Sequence, residues 1–338
     1  MVCDFFPTER LNFKQTRQQK KKKTTFNEML HIEVPPVAEE HTYYHLDAVI
    51  CNESSHTTVF LATWTGPEIA GYVLPNDKVV VKRTTSMQAT NSEIDMLKRL
   101  AHRTNPSQDF FTKLIFVHDV ISNQQVDLVM EYGGEDLSQA LLMHNEQKQT
   151  LTERLKCVSK TLSHIMVCLV KLHALRLVHN DLKPENCVMD ADGNVKLIDF
   201  AIAGHAYMIN SEDDNLVGYD GEKVGSEYYM HPHLLWNRPL SLYQNDLWAL
   251  GQTAFLLYTR QYIYDSEQAS QSEKNNVLRL FLMDLDWYKK FPLNEVLQSH
   301  ESFPLFVKFV SKMCCLSQAP ERAYMLLLQD PFLCYHIS

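Results

Sequence analysis

From Tyr43 to Glu131 the apolar positions come in short blocks separated by polar or turn residues. Four of these blocks, TVFLATW, KVVVKR, LIFVHDVI and VDLVMEY, are rich in β-branched and aromatic residues and predict strands. One segment among them has another period. In NSEIDMLKRLAH, residues Ile94, Leu97 and Leu100 fall on one face of a helix. After Tyr132-Gly133-Gly134 the pattern turns helical, in LSQALLMH, TERLKCVSKTLSHIMVCLVKLHAL and DLWALGQTAFLLYTR. A strand-rich lobe over 43–131, a hinge over 132–134 and a helix-rich lobe over 135–338 make a bilobal α+β architecture with a cleft between the lobes. The chain has no internal repeat.

Residues 1–42 do not share this pattern. KQTRQQKKKK, Lys14 to Lys23, is a polar basic run, and VPPVAEE reads as a linker. Such a block is either a solvated, disordered tail or a basic patch of the kind that serves as a nuclear signal. The formal charge of −9 over 338 residues argues against direct nucleic-acid binding by the surface at large. No apolar run is long enough to span a bilayer, and MVCDFFPTER lacks the features of a signal peptide. The eight cysteines are scattered without a CxxC pair, which predicts reduced thiols in a cytoplasmic or nuclear protein. Nothing in the pattern addresses the oligomeric state.

The chemistry is concentrated in VHNDLKPENCVMDADGNVKLIDFAIAG, Val178 to Gly204. Asp181, Asn186 and Asp199 are hard-oxygen groups, unlike thiolate or imidazole ligands. The turn ADGN between CVMD and VKLID predicts a β-hairpin that brings Asn186 and Asp199 together. Two such oxygens plus phosphates suit Mg²⁺, which keeps waters and binds through few protein groups. Asp181 is then available to accept a proton from a hydroxyl, and Lys183 to neutralise a transferring phosphoryl group. The order of these residues points to phosphoryl transfer from a nucleoside triphosphate.

HNDLKPEN with LIDFAIAG resembles the catalytic and metal-binding loops of the eukaryotic protein kinases. The resemblance extends from about Tyr43 to Leu333. It implies that Lys82, in VVVKR, holds the α- and β-phosphates of ATP and that Glu93, in NSEIDMLKRL, pairs with it. It makes Met130 the gatekeeper, sets Glu131 and Tyr132 along the adenine pocket, and aligns Val59 with the lid over the nucleotide. VGSEYYMHPH resembles the end of the activation segment, with Ser226 bonding Asp181 and Lys183. NDLWALG resembles the helix that anchors the lower lobe through Asp246, and Arg322 falls at the arginine of the closing helices. Lys183 and Ser226 are similar to serine/threonine rather than tyrosine kinases. Phosphotransferases acting on sugars, choline or aminoglycosides share an HxDxxxxN loop but lack the LKPEN, YYMxPx and DLWALG blocks.

The chain departs from the family at several positions. The lid should carry three glycines, but VICNESSHTTVF has Asn52, Ser54 and Thr57 at those places. Without glycine the lid is expected either to stand off from the phosphates or to be strained at Ser54 and Thr57, with weak ATP binding as the result. Asn180 replaces the arginine before the catalytic Asp, so activity is expected not to need a phosphorylated activation segment. Ala201 replaces the glycine of Asp-Phe-Gly. His233 replaces the glutamate that pairs with Arg322, which is expected to weaken the lower lobe. Glu212, Asp213, Asp214 and Asp220, with Glu135 and Asp136 past the hinge, predict protein substrates that are basic around the acceptor. Lys82, Glu93, Asp181, Lys183, Asn186 and Asp199 are all present, which favours an active serine/threonine kinase using ATP and Mg²⁺. The alternative is a pseudokinase serving as a nucleotide-binding or signalling scaffold.

Overall fold

The computed structural model describes residues 43–54, 56–68, 74, 77–85, 87–103, 110–120, 125–143, 150–205, 225–235, 242–262, 286–315 and 327–337. The basic run, the acidic residues 212–214 and 220, Arg322 and the His233 side chain lie outside that set, and the expectations built on them with it.

The upper lobe is a five-stranded antiparallel sheet. Its strands are β1 (Tyr44–Ser54), β2 (Thr57–Trp64), β3 (Lys78–Thr84), β4 (Leu114–Val120) and β5 (Gln125–Glu131), in spatial order β1-β2-β3-β5-β4. In β3 alternate residues serve opposite faces. Val79 and Val81 are fully buried in a cluster with Tyr44, Ala62, Ile115 and Val129, while Lys82 faces the cleft. One charge network ties four strands. Arg83 donates through Nε and Nη2 to Asp127, both at 2.8 Å, and the Tyr44 hydroxyl bonds the same carboxylate and His118. Asp127 is fully buried, so its two charge-assisted bonds offset a desolvation cost that would otherwise be large. Helix α1 (Met87–Arg103) packs Ile94, Leu97 and Leu100 into the larger core, as their spacing predicts.

The lower lobe is built around α2 (Leu151–Ala174) and α4 (Leu242–Thr259), which follows the short α3 (Pro232–Leu235). Helix α2 starts at a capping box: the Thr150 hydroxyl accepts from Glu153 N, and the Glu153 carboxylate accepts from Thr150 N at 2.8 Å. Its inner face buries Leu155, Leu162, Ile165, Leu169 and Leu172, each contributing about 1.5–3 kcal/mol by burial. After α5 (Glu295–Gln298) comes α6 (Phe303–Cys315), whose Phe306 meets Phe255 and Tyr258 of α4, while Trp287 packs on Phe255 and Phe332 on Tyr258. No helix among the described residues is long and apolar enough to cross a membrane.

Between the lobes run the strand pairs that carry the site. Strand β6 (Glu135–Asp136) pairs with β8 (Cys187–Met189), β8 with β9 (Val195–Leu197), and β7 (Leu177–Val178) with β10 (Gly204–His205). The hinge end passes close to β8. Gly134 sits at φ +111°, and a Cβ there would be 2.0 Å from the Met189 carbonyl oxygen, so only glycine fits.

Candidate active site

Lys82 Nζ lies 3.2 Å from Glu93 Oε2 and 2.8 Å from Asp199 Oδ1. Strand β3, helix α1 and the end of the β8–β9 hairpin therefore meet at one ammonium. Burial raises the Asp199 pKa, but Lys82, His179 and the Ala201 N–H outweigh it and leave it below the usual carboxylate value.

The β8–β9 hairpin forms as its turn predicts. Asp190 Oδ1 accepts from the N–H groups of Asp192 and Asn194, both at 2.9 Å, and Gly193 takes φ +79°. Cys187 pairs with Leu197, so Asn186 and Asp199 leave the hairpin at the same end and both line the cleft. The loop before it is tightly bonded. Asn186 Nδ2 donates to Asp181 O at 2.8 Å and to Asp181 Oδ2 at 3.0 Å. Lys183 Nζ is 2.9 Å from Asp181 Oδ2 and 2.8 Å from Ser226 Oγ, and Ser226 N donates to Asp181 Oδ1 at 2.7 Å. Gly225 makes that approach possible: at φ +114°, a Cβ would fall 2.9 Å from Asn180 O.

Behind this loop stands Asp246 of α4, fully buried. Its carboxylate accepts from His179 N and Asn180 N, each at 2.9 Å, and meets His173 Nε2 at 2.7 Å. Asn180 has φ +66° and Asp199 φ +60°, a region where Asn and Asp are the common non-glycine residues. The Asn180 amide donates to Ile202 O at 3.3 Å. Asn180 thus joins the loop to the segment after Phe200 through a neutral bond. Ala201 is not among the positive-φ residues, so the missing glycine brings no strain there.

The cleft holds a cavity of about 600 Å³. Of the expected nucleotide residues, Lys82, Glu93, Asn52, Val59, Met130, Glu131 and Tyr132 line it. Thr57 does not: its hydroxyl donates to Thr84 Oγ1 at 3.0 Å within the sheet. Ser54 closes the hairpin opposite Thr57. Among the described residues of the lid the expected strain is absent. Neither Asn52, Ser54 nor Thr57 has a positive φ, and three register shifts along β1 and β2 absorb the curvature instead. Asn52 Oδ1 also accepts from Thr58 Oγ1 at 3.0 Å. The Asn52 and Thr57 side chains brace the lid, which reverses the expected effect of restoring glycine. Replacing Asn52, Ser54 and Thr57 together with glycine should raise the ATP Michaelis constant by about three- to tenfold, as two hydrogen bonds and strand order are lost. A lower constant in steady-state kinetics would count against the bracing.

The contacts of several cleft residues had no sequence signal. The Glu131 carboxylate accepts from Lys113 N at 3.0 Å and pairs with Lys196 at 3.3 Å. Lys196 reads in VKLID only as a strand residue. Asp136, read with Glu135 as charge that favours basic substrates, lines the cavity and accepts from Ser138 Oγ and from Gln139 N. Glu185, inside LKPEN, also lines it. Burial, then Asp136 and Asp181, push the Glu185 pKa up against the opposing pull of Lys183. A carboxyl whose folded pKa exceeds its unfolded value loses stability as pH rises through that interval. Glu185→Gln should therefore raise Tm at pH 7, with the gain shrinking below the ordinary value of 4.5. A lower Tm for the variant at pH 7 would contradict this.

A two-lobed α+β fold with a lysine shared by two acids across its cleft defines the class of protein. The family described as Protein kinase domain matches residues 55–333, and the chain belongs to that family. Among its relatives, Misshapen-like kinase 1 of Rattus norvegicus is 30% identical over 166 residues, 48% of this chain and 12% of that protein. The Carbon catabolite-derepressing protein kinase of Saccharomyces cerevisiae is 27% identical over 227 residues, 66% of this chain and 32% of the relative. The Probable serine/threonine-protein kinase KCC4 of the same yeast is 28% identical over 180 residues, 53% of this chain and 15% of its own length. The chain thus spans well under half the length of these relatives.

Proposed function

We propose that the chain is a serine/threonine protein kinase that transfers the γ-phosphoryl group of ATP to protein hydroxyls, with Asp181 as the catalytic base. The observation that carries this reading is one cavity lined by Lys82, Glu93, Asp199, Lys183 and Ser226, in which Lys82 pairs with Glu93 and Asp199 and in which Lys183 meets both Asp181 and Ser226. Lys82 would hold the phosphates, and Lys183 would offset charge on the transferring group. The donor set fits Mg²⁺. Asn186 uses its Nδ2 on Asp181, which leaves its carbonyl oxygen for a cation, and Asp199 adds an ionised carboxylate. Among the described residues no group of three or more His, Cys, Asp or Glu could hold a metal alone. Such a site suits an ion that completes its shell with water and phosphate oxygens. Bound there, Mg²⁺ would neutralise triphosphate charge.

With Mg²⁺ and γ-labelled ATP the chain should label serine and threonine of a basic acceptor protein, and EDTA should abolish the labelling. Label on tyrosine alone would overturn the acceptor class, and no label above an enzyme-free control would favour the pseudokinase scaffold. The glycine-free lid is the observation on the side of that scaffold.

Activity should not depend on phosphorylation of the activation segment, because Asn180 offers a neutral amide, already used on Ile202 O, where a phosphate would need a cation. Phosphatase treatment should change the rate less than about twofold. A tenfold fall would contradict it.

A further inference from the structure

The upper-lobe sheet stops at β1. It is the terminal strand in the order β1-β2-β3-β5-β4, and among the described residues no strand pairs with its outer edge. Every residue from Asp47 to Asn52 is exposed. Val49 is 55% exposed and Ile50 44%, and of the exposed large apolar side chains among the described residues only these two are chain neighbours. Such an edge presents unpaired N–H and C=O groups beside apolar surface, a template for another strand that proteins normally blunt or cover.

The two faces of β1 differ. Leu46 pairs with Ala62 and Val49 with Phe60, so both stand on the face that carries the cluster of Ala62, Val79 and Val81. Ile50 and Asn52 line the cavity instead. Leu46 and Val49 thus form an apolar border at the open side of the upper-lobe core.

The chain carries a matching segment just upstream. In MLHIEV, Met29 to Val34, Leu30, Ile32 and Val34 alternate with His31 and Glu33, the period of a strand with one buried face. Pro35-Pro36 ends the alternation, and only residues 35–43 separate it from β1. A parallel neighbour needs a crossover of a dozen or more residues, so this connection suits an antiparallel one. Leu30 to Val34, fully extended, would span about 17 Å, the run of β1 from His45 to Val49.

We propose that Leu30–Val34 docks as an antiparallel strand on the open edge of β1, with Leu30, Ile32 and Val34 on the face of Leu46 and Val49. Its backbone would pair the edge, and its apolar side chains would cover Val49. Through so short a tether the segment stands at an effective concentration on the order of millimolar, above what a second copy reaches in dilute solution. The docking stands apart from the kinase reading but bears on the same cavity. It would hold in place the strand from which Ile50 and Asn52 reach the lid of the cleft.

Hydrogen exchange on the full chain, read by mass spectrometry on peptides covering 28–36 and 44–54, tests this. Residues 28–36 should exchange at least about tenfold more slowly than the same peptide alone. Ile32→Pro removes a donor and interrupts the pairing, so both peptides should exchange about tenfold faster, with β5 unchanged. Ile32→Ser, which keeps the donor and loses the apolar contact, should act on the same two peptides to a smaller extent. Ile32→Val should preserve protection. Exchange of 28–36 at the free-peptide rate overturns the docking. So does protection of 28–36 whose loss in both Ile32→Pro and Ile32→Ser leaves 44–54 unaltered, because the segment then pairs elsewhere. Protection of 44–54 that fades on dilution, with a dimer in analytical ultracentrifugation, gives the edge to a second copy and overturns the upstream segment as its occupant.

Discussion

Asp181→Asn should lower the rate of phosphate transfer by a factor on the order of 10²–10⁴, the range lost when a positioned general base is removed. The structure adds a second reason for a large effect. Asp181 accepts on both oxygens, from Ser226 N on Oδ1 and from Asn186 Nδ2 and Lys183 Nζ on Oδ2. An amide can accept on one side only. On the other it would turn two N–H donors toward groups that also donate. The loop would then lose proton acceptance and positioning together. Nucleotide affinity should change by less than about threefold, since Lys82, Glu93 and Met130 lie on the opposite wall. Single-turnover rates and nucleotide titrations on both proteins separate the two quantities. Equal rates would remove Asp181 from the role proposed for it.

The largest expected effect on stability is at Asp246. Asp246→Ala strands His179 N, Asn180 N and His173 Nε2, all of which now meet the carboxylate in a fully buried environment. Each orphaned buried group costs about 1–3 kcal/mol, so the variant should lose about 3–9 kcal/mol, a large part of an ordinary folding stability. In a chain of this size that corresponds to a fall in Tm of roughly 4–12 °C. The catalytic loop should suffer as well, because two of the three donors are backbone groups next to Asp181. Thermal unfolding by circular dichroism checks the first effect. A fall under about 2 °C would mean that water or a neighbouring acceptor takes over the three donors.

Much of the site was legible because it is local. Asp181, Lys183 and Asn186 share one loop. The hairpin that returns the chain to Asp199 is set by a turn whose Asp190, Gly193 and Asn194 read directly as turn formers. The face of α1 that presents Glu93 follows from the spacing of Ile94, Leu97 and Leu100, because helical period alone decides which residues share a face. Even the Lys82–Glu93 pair, though it joins two elements, lies within a short stretch of chain.

What the sequence misjudged concerns conformation rather than composition. The absence of glycine from the lid led to an expectation of strain, but among the described residues none follows: register shifts between β1 and β2 and the Thr57–Thr84 bond leave Asn52 and Thr57 with ordinary dihedrals. Asn180, a loss when read against an arginine, is a residue suited to the left-handed conformation it adopts.

By itself the sequence determined the two-lobed division, the order of the elements and the acids and lysines of the cleft, since each depends on periodicity or on residues close along the chain. Only the tertiary structure decided that Glu131 pairs with Lys196, that Asp246 holds two successive backbone N–H groups of the loop before Asp181, and that Tyr262 stands beside Tyr228. Those contacts join residues far apart in the chain. They depend on the packing of α4 and β9 against the cleft, and a side chain's partner across such a distance leaves no period in the sequence to read.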